Sequence, residues 1–349
     1  MKPVPEDLVT LLSLPPRSIL FLAHVHPDGD VLGSLLGLGL ALAESGSPVT
    51  VAGPHPVPES LSFLPGASLV QQWSEAKGTF DLVLLADCPD PGRTNGLLEG
   101  ARSPATRVVN IDHHPDNKRY GDVNWVDPAA SASGEMVYDL VLALRLPLTA
   151  EVAVNLFTAI HTDTGSFRYS NTTPHTLAVA ADLVARGAAP AHVAARLYES
   201  RPAEHLKLLG RLLQQVEVSA DGRVAWLALP AGSVPEAFLE AEDLVTYPRS
   251  IAGVKVAFLL REVEAGVKVS LRAKGEVGVG RIAARFGGGG HANAAGCVIP
   301  GSLEEAKRAV LQALSEAMIS EGREAVGWEA AGGVGDDARG AEGRAGADA

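Results

Sequence analysis

The sequence predicts a two-domain α/β protein: an N-terminal doubly wound, mostly parallel sheet, linked by helices to a smaller α+β C-terminal domain. Three observations predict it. Short runs that are apolar at every position alternate with helical patterns through the first half, as strands buried on both faces require. The second half changes to hairpins, with strands folding back at Asp221-Gly222 and Ala265-Gly266. The 349 residues, 46% of them apolar, suffice for two cores and exclude a wholly disordered chain.

The elements follow in order. Residues 18–23 read as a strand, 31–44 as a helix, 48–52 as a second strand, and 81–86 and 107–111 as two more. Helical patterns cover 134–144 and 150–160, and Thr173 before Pro174 is an N-cap with a first-turn proline opening a helix through Ala185. Gly187 ends that helix and the N-terminal domain, taken as 1–187. Residues 188–216 carry two helical patterns broken at Arg201-Pro202 and form the inter-domain connection. Strands at 217–219 and 223–229, then 254–262 and 267–272, with helices at 280–286 and 303–319, build the second domain over 217–319. Periodicity stops near Ser320, and the Gly- and Ala-rich residues 320–349 are expected to be a disordered tail.

There are 29 basic against 41 acidic residues, a net charge of −12. This argues against a broad basic face for duplex nucleic acid, yet it leaves room for a short or mononucleotide ligand. Cys88 and Cys297 are too few for a disulfide framework or a thiolate zinc site. The N-terminus lacks a basic start followed by an apolar run. The most apolar stretch, 31–43, is shorter than the roughly 20 residues that cross a bilayer. The expected location is the cytoplasm, with no membrane contact.

In open α/β sheets, ligands sit beyond the carboxyl ends of the strands. The first strand runs into His24-Val25-His26-Pro27-Asp28-Gly29-Asp30, the third into Asp87, and the fourth into Asp112-His113-His114. The helix at 150–160 ends at His161-Thr162-Asp163. Four segments thus bring imidazoles and carboxylates to one crevice. Packed carboxylates repel unless a cation neutralises them, and mixed O and N donors suit Mn²⁺, with Mg²⁺, Co²⁺ or Zn²⁺ as alternatives. Asp28 and Asp30 can address two neighbouring ions, and Asp87 can bridge them. Such a site acidifies water and clamps attacking and leaving oxygens. The chemistry indicated is metal-assisted hydrolysis of a phosphate ester or anhydride. Taken singly, each segment reads more readily as a helix N-cap or a turn than as a catalytic group; four at one sheet end do not.

These motifs, with Thr162-Asp163-Thr164-Gly165, resemble the four motifs of the DHH phosphoesterase superfamily, and within it the oligoribonuclease and PAP phosphatase branch. The resemblance implies His24, Asp28 and Asp87 on one metal ion and Asp30, Asp87, His113 and Asp163 on the other. It implies that His114 faces the scissile phosphate while Asp112 orients the site from behind the ligands, so that Asp87, Asp112 and His114 form the catalytic set. The family usually works with Mn²⁺. His26 lies between His24 and Asp28 and is left out of the ligand set.

A second constellation is Gly287-Gly288-Gly289-Gly290-His291, whose backbone N–H groups can form an anion nest. Arg261 and Arg272, on paired strands, can grip phosphate bidentately, though Arg261 reads equally as a solvated strand charge. With Asn293-Ala294-Ala295-Gly296, this run resembles the signature of the DHH-associated C-terminal domain. The resemblance implies a nucleotide clamp across the inter-domain cleft, with Arg272, Gly288, Gly289, Gly290 and His291 as contacts. Ser131 is either a phosphate donor or part of a helix cap, and Arg168 is either a cleft contact or a solvated loop arginine. His55, His175, His192 and His205 read as surface or packing residues, Cys88 has no thiolate partner, and the four tryptophans form no stacking stripe.

The expectation is a Mn²⁺-dependent exoribonuclease and 3′(2′),5′-bisphosphate nucleotidase. Its ligands would be short single-stranded RNA or DNA and 3′-phosphoadenosine 5′-phosphate. Alternatives are a cyclic-di-AMP or linear-dinucleotide phosphodiesterase, a family II inorganic pyrophosphatase, and a non-catalytic nucleotide-binding regulator. A homodimer is left open.

Overall fold

The computed structural model describes residues 2–14, 18–235, 238–239, 243–274 and 277–329. Helix α1 (Glu6–Leu12) leads into strand β1 (Ile19–Leu22), helix α2 (Gly29–Glu44) and strands β2 (Val49–Gly53), β3 (Gln71–Gln72) and β4 (Leu82–Ala86). Helix α3 (Leu97–Ala101), strands β5 (Arg107–Asp112) and β6 (Val123–Val126), and helices α4 (Ser133–Ala143), α5 (Ala150–Asp163) and α6 (Pro174–Ala185) complete the first domain. Its sheet has the order β3-β2-β1-β4-β5-β6, all parallel. β3 and β6 escape the sequence reading because one is two glutamines and the other breaks its apolar run at Asn124.

The continuous apolar strands have a simple cause. Phe21, Leu84 and Val109 enter the core shared with α2, α4 and α5. Their neighbours Leu20, Leu22, Val83, Leu85 and Val108 enter the core shared with α3. Successive side chains alternate between two buried faces, and each such burial stabilises by about 1.5–3 kcal/mol.

Helices α2 and α5 pack closely because Gly29, Gly33 and Gly37 line one side of α2. A Cβ on Gly33 would lie 2.4 Å from the Asn155 carbonyl oxygen, and one on Gly29 would lie 2.4 Å from Thr162 Oγ1. The end of α5 therefore sits beside the start of α2. The sequence places this helix end at residue 160, but α5 continues to Asp163. Thr158 and Thr162 bond carbonyls of their own helix rather than breaking it.

Helices α7 (Pro190–Tyr198) and α8 (Ala203–Leu213) connect to the second domain. There follow β7 (Glu217–Val218), β8 (Val224–Leu229), α9 (Thr246–Ser250), β9 (Val256–Val263) and β10 (Gly266–Ala273). Helix α10 (Val279–Ala284), strands β11 (Gly289–Gly290) and β12 (Ala294–Ile299) and helix α11 (Leu303–Glu329) end the description. The sheet order is β11-β12-β10-β9-β8-β7. Both expected hairpins form, while β8 and β9 pair in parallel, a long-range pairing with no local signal. Helix α11 runs past Ser320, through a stretch rich in the helix formers Glu, Arg and Ala. The rest of the expected tail, 330–349, lies outside the described residues. No helix among the described residues is long and apolar enough to cross a membrane.

Candidate metal centre

Strand order reverses between β1 and β4, which opens a crevice at their carboxyl ends. His24 lies just past β1, Asp87 directly follows β4, and Asp112 is the last residue of β5. Asp87 has φ +53°, a left-handed conformation costing about 1 kcal/mol or more outside glycine. Its amide donates to the Ile111 carbonyl at 3.0 Å, and the chain turns sharply there, bringing the carboxylate over the sheet edge.

That carboxylate lies between two imidazoles. Asp87 Oδ2 is 3.8 Å from His24 Nε2, and Oδ1 is 3.4 Å from His113 Nε2. His113 Nε2 also lies 3.7 Å from Asp30 Oδ2 and from Asp163 Oδ2. Donor atoms of His24, Asp28 and Asp87 are within 4.8 Å of one another, as are those of Asp30, His113 and Asp163. All six residues proposed as ligands from the sequence are thus brought together.

The neighbours aim these groups. His24 Nδ1 faces the Val25 carbonyl at 2.8 Å and His113 Nδ1 the Ala130 carbonyl at 3.2 Å. A carbonyl only accepts, so both Nδ1 atoms donate, which leaves each Nε2 facing the carboxylates and open to a metal ion once it gives up its proton. Asp28 Oδ1 caps α2 by accepting from the Asp30 and Val31 amides, leaving its second oxygen for the crevice. N-cap and potential ligand are one residue here. Asp30 accepts from the Ser133 amide at 2.7 Å, the Gly134 amide at 2.9 Å and Ser34 Oγ at 3.1 Å.

The donor set fits a divalent cation. Asp87 Oδ1 and His113 Nε2 are buried with no hydrogen-bond partner other than each other's approach at 3.4 Å. Donors sharing an ion at about 2.1 Å lie roughly 3 Å or a little more apart, close to these separations. Burial, with Asp87 adding, holds the Asp30 carboxyl well above its ordinary range. Burial likewise raises Asp163 to about 6, with Asp87 and Asp28 adding against His113. For His113, burial acts downward, but Asp163, Asp87 and Asp30 outweigh it and the ring titrates well above its usual value. Burial opposes the Asp87 charge, yet His113 and His24 keep its carboxyl well below the usual range. Protons here do the neutralising that a cation would do.

His114 and His291 complete the crevice. Asp112, fully buried, accepts from His114 Nδ1 at 2.8 Å and from the His113 amide at 2.9 Å. This commits Nδ1 and leaves Nε2 as the nitrogen of His114 available to a ligand. The His291 ring centroid lies 4.3 Å from that of His114 and 4.7 Å from that of His113. A second-domain side chain therefore reaches the cage itself. Burial, with His114 and His113 adding, pushes the His291 ring down to about 3, so it is neutral at physiological pH.

The sequence patterns of known families match both halves: the DHH family N-terminal domain over residues 18–160 and the DHHA1 domain over 239–320. The bifunctional oligoribonuclease and PAP phosphatase NrnA of Thermus thermophilus is 38% identical over 302 residues, 86% of this chain and 90% of that protein. This chain is a DHH-family phosphoesterase. The Bacillus subtilis protein of the same name is 31% identical, over 86% of this chain and 95% of its own length. An exopolyphosphatase-related protein from Bacteroides fragilis superposes with a TM-score of 0.78 at 26% identity, covering 89% of this chain and 95% of its own.

Other residues of the phosphoesterase stand differently from the sequence reading. Gly290 N–H donates to Asp116 Oδ2 at 3.0 Å, and a Cβ on Gly289 would lie 2.3 Å from that oxygen. The nest offered to a ligand thus holds a carboxylate of the other domain. Arg272 donates to the Leu271 carbonyl and lies 3.4 Å from Asp243. Ser131 is fully buried, its amide bonded to Glu135. The neighbouring Ser133 and Gly134 amides serve the Asp30 carboxylate. Arg168 is exposed, with Nε on the Gly165 carbonyl. A cleft of about 550 Å³ opens beside Asp28 between the domains, lined among others by His26, His55, Leu259, Arg261 and Lys268. His55 is not isolated: its ring meets His26 edge-on at 4.4 Å.

Sequence reasoning missed Asp116, Arg93 and Asn117. Asn117 donates to Asp112 Oδ2, and Arg93 lies against His24. Position was the available signal: each lies within six residues of Asp87 or Asp112 on the loop leaving a central strand.

Proposed function

We propose that this phosphoesterase is a two-metal hydrolase that cuts very short RNA, and short DNA, to 5′-mononucleotides and converts 3′-phosphoadenosine 5′-phosphate to AMP. The observation that carries this reading is the position of Asp87, one carboxylate oxygen toward His24 Nε2 and the other toward His113 Nε2. A carboxylate so divided suits a bridge. The Thermus and Bacillus relatives, which carry the oligoribonuclease and PAP phosphatase name, support the substrate class.

In this reading His24, Asp28 and Asp87 hold one ion, and Asp30, Asp87, His113 and Asp163 hold the other. Mn²⁺ is the proposed ion, with Mg²⁺ or Co²⁺ as substitutes. Bound there, the pair would withdraw charge from phosphoryl oxygens and acidify water. His114, its Nδ1 held by Asp112, presents Nε2 to exchange a proton at the scissile phosphate. Neutral His291 can donate a hydrogen bond without adding positive charge beside the ligands. Arg272 and the glycine loop are the proposed nucleotide contacts, once Asp116 has left the nest. A cleft of about 550 Å³ beside Asp28, lined from the second domain by Arg261, Lys268 and Ser270 rather than by Arg272 or the glycine loop, is of small-ligand size.

The test is one panel assayed with Mn²⁺: RNAs and DNAs of graded length, 3′-phosphoadenosine 5′-phosphate, linear and cyclic diadenylates, and pyrophosphate. Fast release of 5′-mononucleotides from the shortest RNAs, together with AMP from the bisphosphate, is expected. Hydrolysis confined to cyclic diadenylate or pyrophosphate would overturn the reading, as would no hydrolysis of any member.

A further inference from the structure

Arg93 lies in a turn fastened at both ends. Asp90 caps the turn through the Gly92 amide at 3.0 Å, and the Arg93 carbonyl accepts from the Val25 amide at 2.8 Å, tying the turn to the end of β1. Its Nη2 lies 3.2 Å from His24 Nε2 and 3.3 Å from His24 Nδ1. Near-equal distances to the two ring nitrogens put the guanidinium over the ring face, because an in-plane approach would run into the carbon between them. The in-plane lone pair of Nε2 therefore stays free to point toward Asp87.

The guanidinium is half-buried and makes no ion pair among the described residues. Asp90, the nearby carboxylate that could neutralise it, is taken by Lys118 at 2.6 Å. A half-buried cation at the edge of an acidic cage, acting on Asp90 through space but in direct contact with no carboxylate among the described residues, is placed to meet an incoming anion. Charge balance agrees. Asp28, Asp30, Asp87 and Asp163 together offset two divalent cations, so a loaded cage is near neutral and the phosphate charge needs its own partner.

We propose that Arg93 grips a non-bridging oxygen of the scissile phosphate on the His24 side of the crevice and stabilises the charge that grows there. As the P–O bond to water forms and the ester P–O bond breaks, the leaving oxygen takes a proton. Arg93 donates hydrogen bonds only, since its own proton is too tightly held to move. The assignment rests on the phosphoryl-transfer reading above.

The test uses the full chain with Mn²⁺ and the variants Arg93→Ala and Arg93→Lys. Inorganic phosphate affinity is measured by calorimetry, bound manganese by elemental analysis, and kcat and KM separately. Arg93→Ala should weaken phosphate binding about tenfold and lower kcat by about 10²–10³-fold, with bound manganese unchanged. Arg93→Lys should recover part of the phosphate affinity, and added guanidinium should restore part of the Arg93→Ala rate. Arg93→Gln, which keeps much of the stem, carries the same expectation should the alanine variant fold poorly. Unchanged phosphate affinity would overturn the proposal, and so would manganese loss matching the loss of rate. If the wild-type protein cleaves neither oligonucleotides nor the bisphosphate while Arg93→Ala still loses phosphate affinity, the substrate reading fails and only the phosphate-binding part of the Arg93 assignment stands.

Discussion

Gly290 and Asp116 join the two domains by a hydrogen bond of 3.0 Å from the Gly290 backbone N–H to a carboxylate oxygen. Gly289 is not in the left-handed region, so an alanine there is strained only by the carboxylate that its Cβ would meet at 2.3 Å. Gly289→Ala should swing Asp116 out of the nest and break this bond, a loss of about 1–3 kcal/mol in local stability. Hydrogen exchange of the 287–291 backbone should then quicken by roughly ten- to a hundredfold without ligand. Unaltered exchange would show that the contact does not hold the loop.

Asp87→Ala removes both oxygens of the proposed bridge and leaves His24 and His113 facing a gap. Turnover on every substrate should fall by at least about 10³-fold, and manganese stoichiometry should drop as well. Retained activity with a full metal complement, measured by elemental analysis, would contradict the two-metal assignment.

Gly33→Ala tests the helix contact that carries Asp163 to Asp30. The added methyl would sit 2.4 Å from the Asn155 carbonyl, a backbone atom that cannot swing aside. Destabilisation of about 1–3 kcal/mol is expected from overpacking, read as a lower urea midpoint. Manganese affinity should weaken in the same variant, since α5 must move outward with Asp163 on its last turn. A stable variant with normal affinity would mean that the helices tolerate a wider spacing.

Asp163 sets a pH signature for the metal-free protein. Its carboxyl is raised from an ordinary 3.8 to about 6. Between those values the folded chain holds more protons than the unfolded chain, so metal-free stability should fall as pH rises from about 4 to about 6. Manganese binding needs the carboxylate, and its affinity should climb across that window, with His113 extending the proton competition above it. Thermal melts of metal-free protein and Mn²⁺ titrations between pH 4 and 8 check both slopes. A melting temperature that rises with pH from 4 to 6 would reverse the sign.

The parallel strands were legible because Ile19–Leu22, Leu82–Ala86 and Arg107–Asp112 are buried on both faces, and burial on both faces writes an unbroken apolar run. His24, Asp87 and Asp112-His113-His114 were legible for a related reason. They follow those strands directly, and strand ends in a parallel sheet share one edge. Asp163 was found as a residue, but the helix carrying it was drawn too short, since threonines that bond their own helix look like a break. The strands at Gln71–Gln72 and Val123–Val126 carry little apolar signal and owe their place to a neighbouring strand.

Local chain chemistry thus determined the two kinds of domain, the four apolar strands of the first sheet's centre and the acid and histidine residues that follow them. Only tertiary structure decided the order of the strands, that Asp116 occupies the glycine nest, that Ser131 is buried, and that Arg93 covers His24. The reason is physical. Periodicity and turn preference are set by residues a few positions apart, whereas the approach of α2 to α5 and of one domain to the other depends on packing between segments distant in sequence.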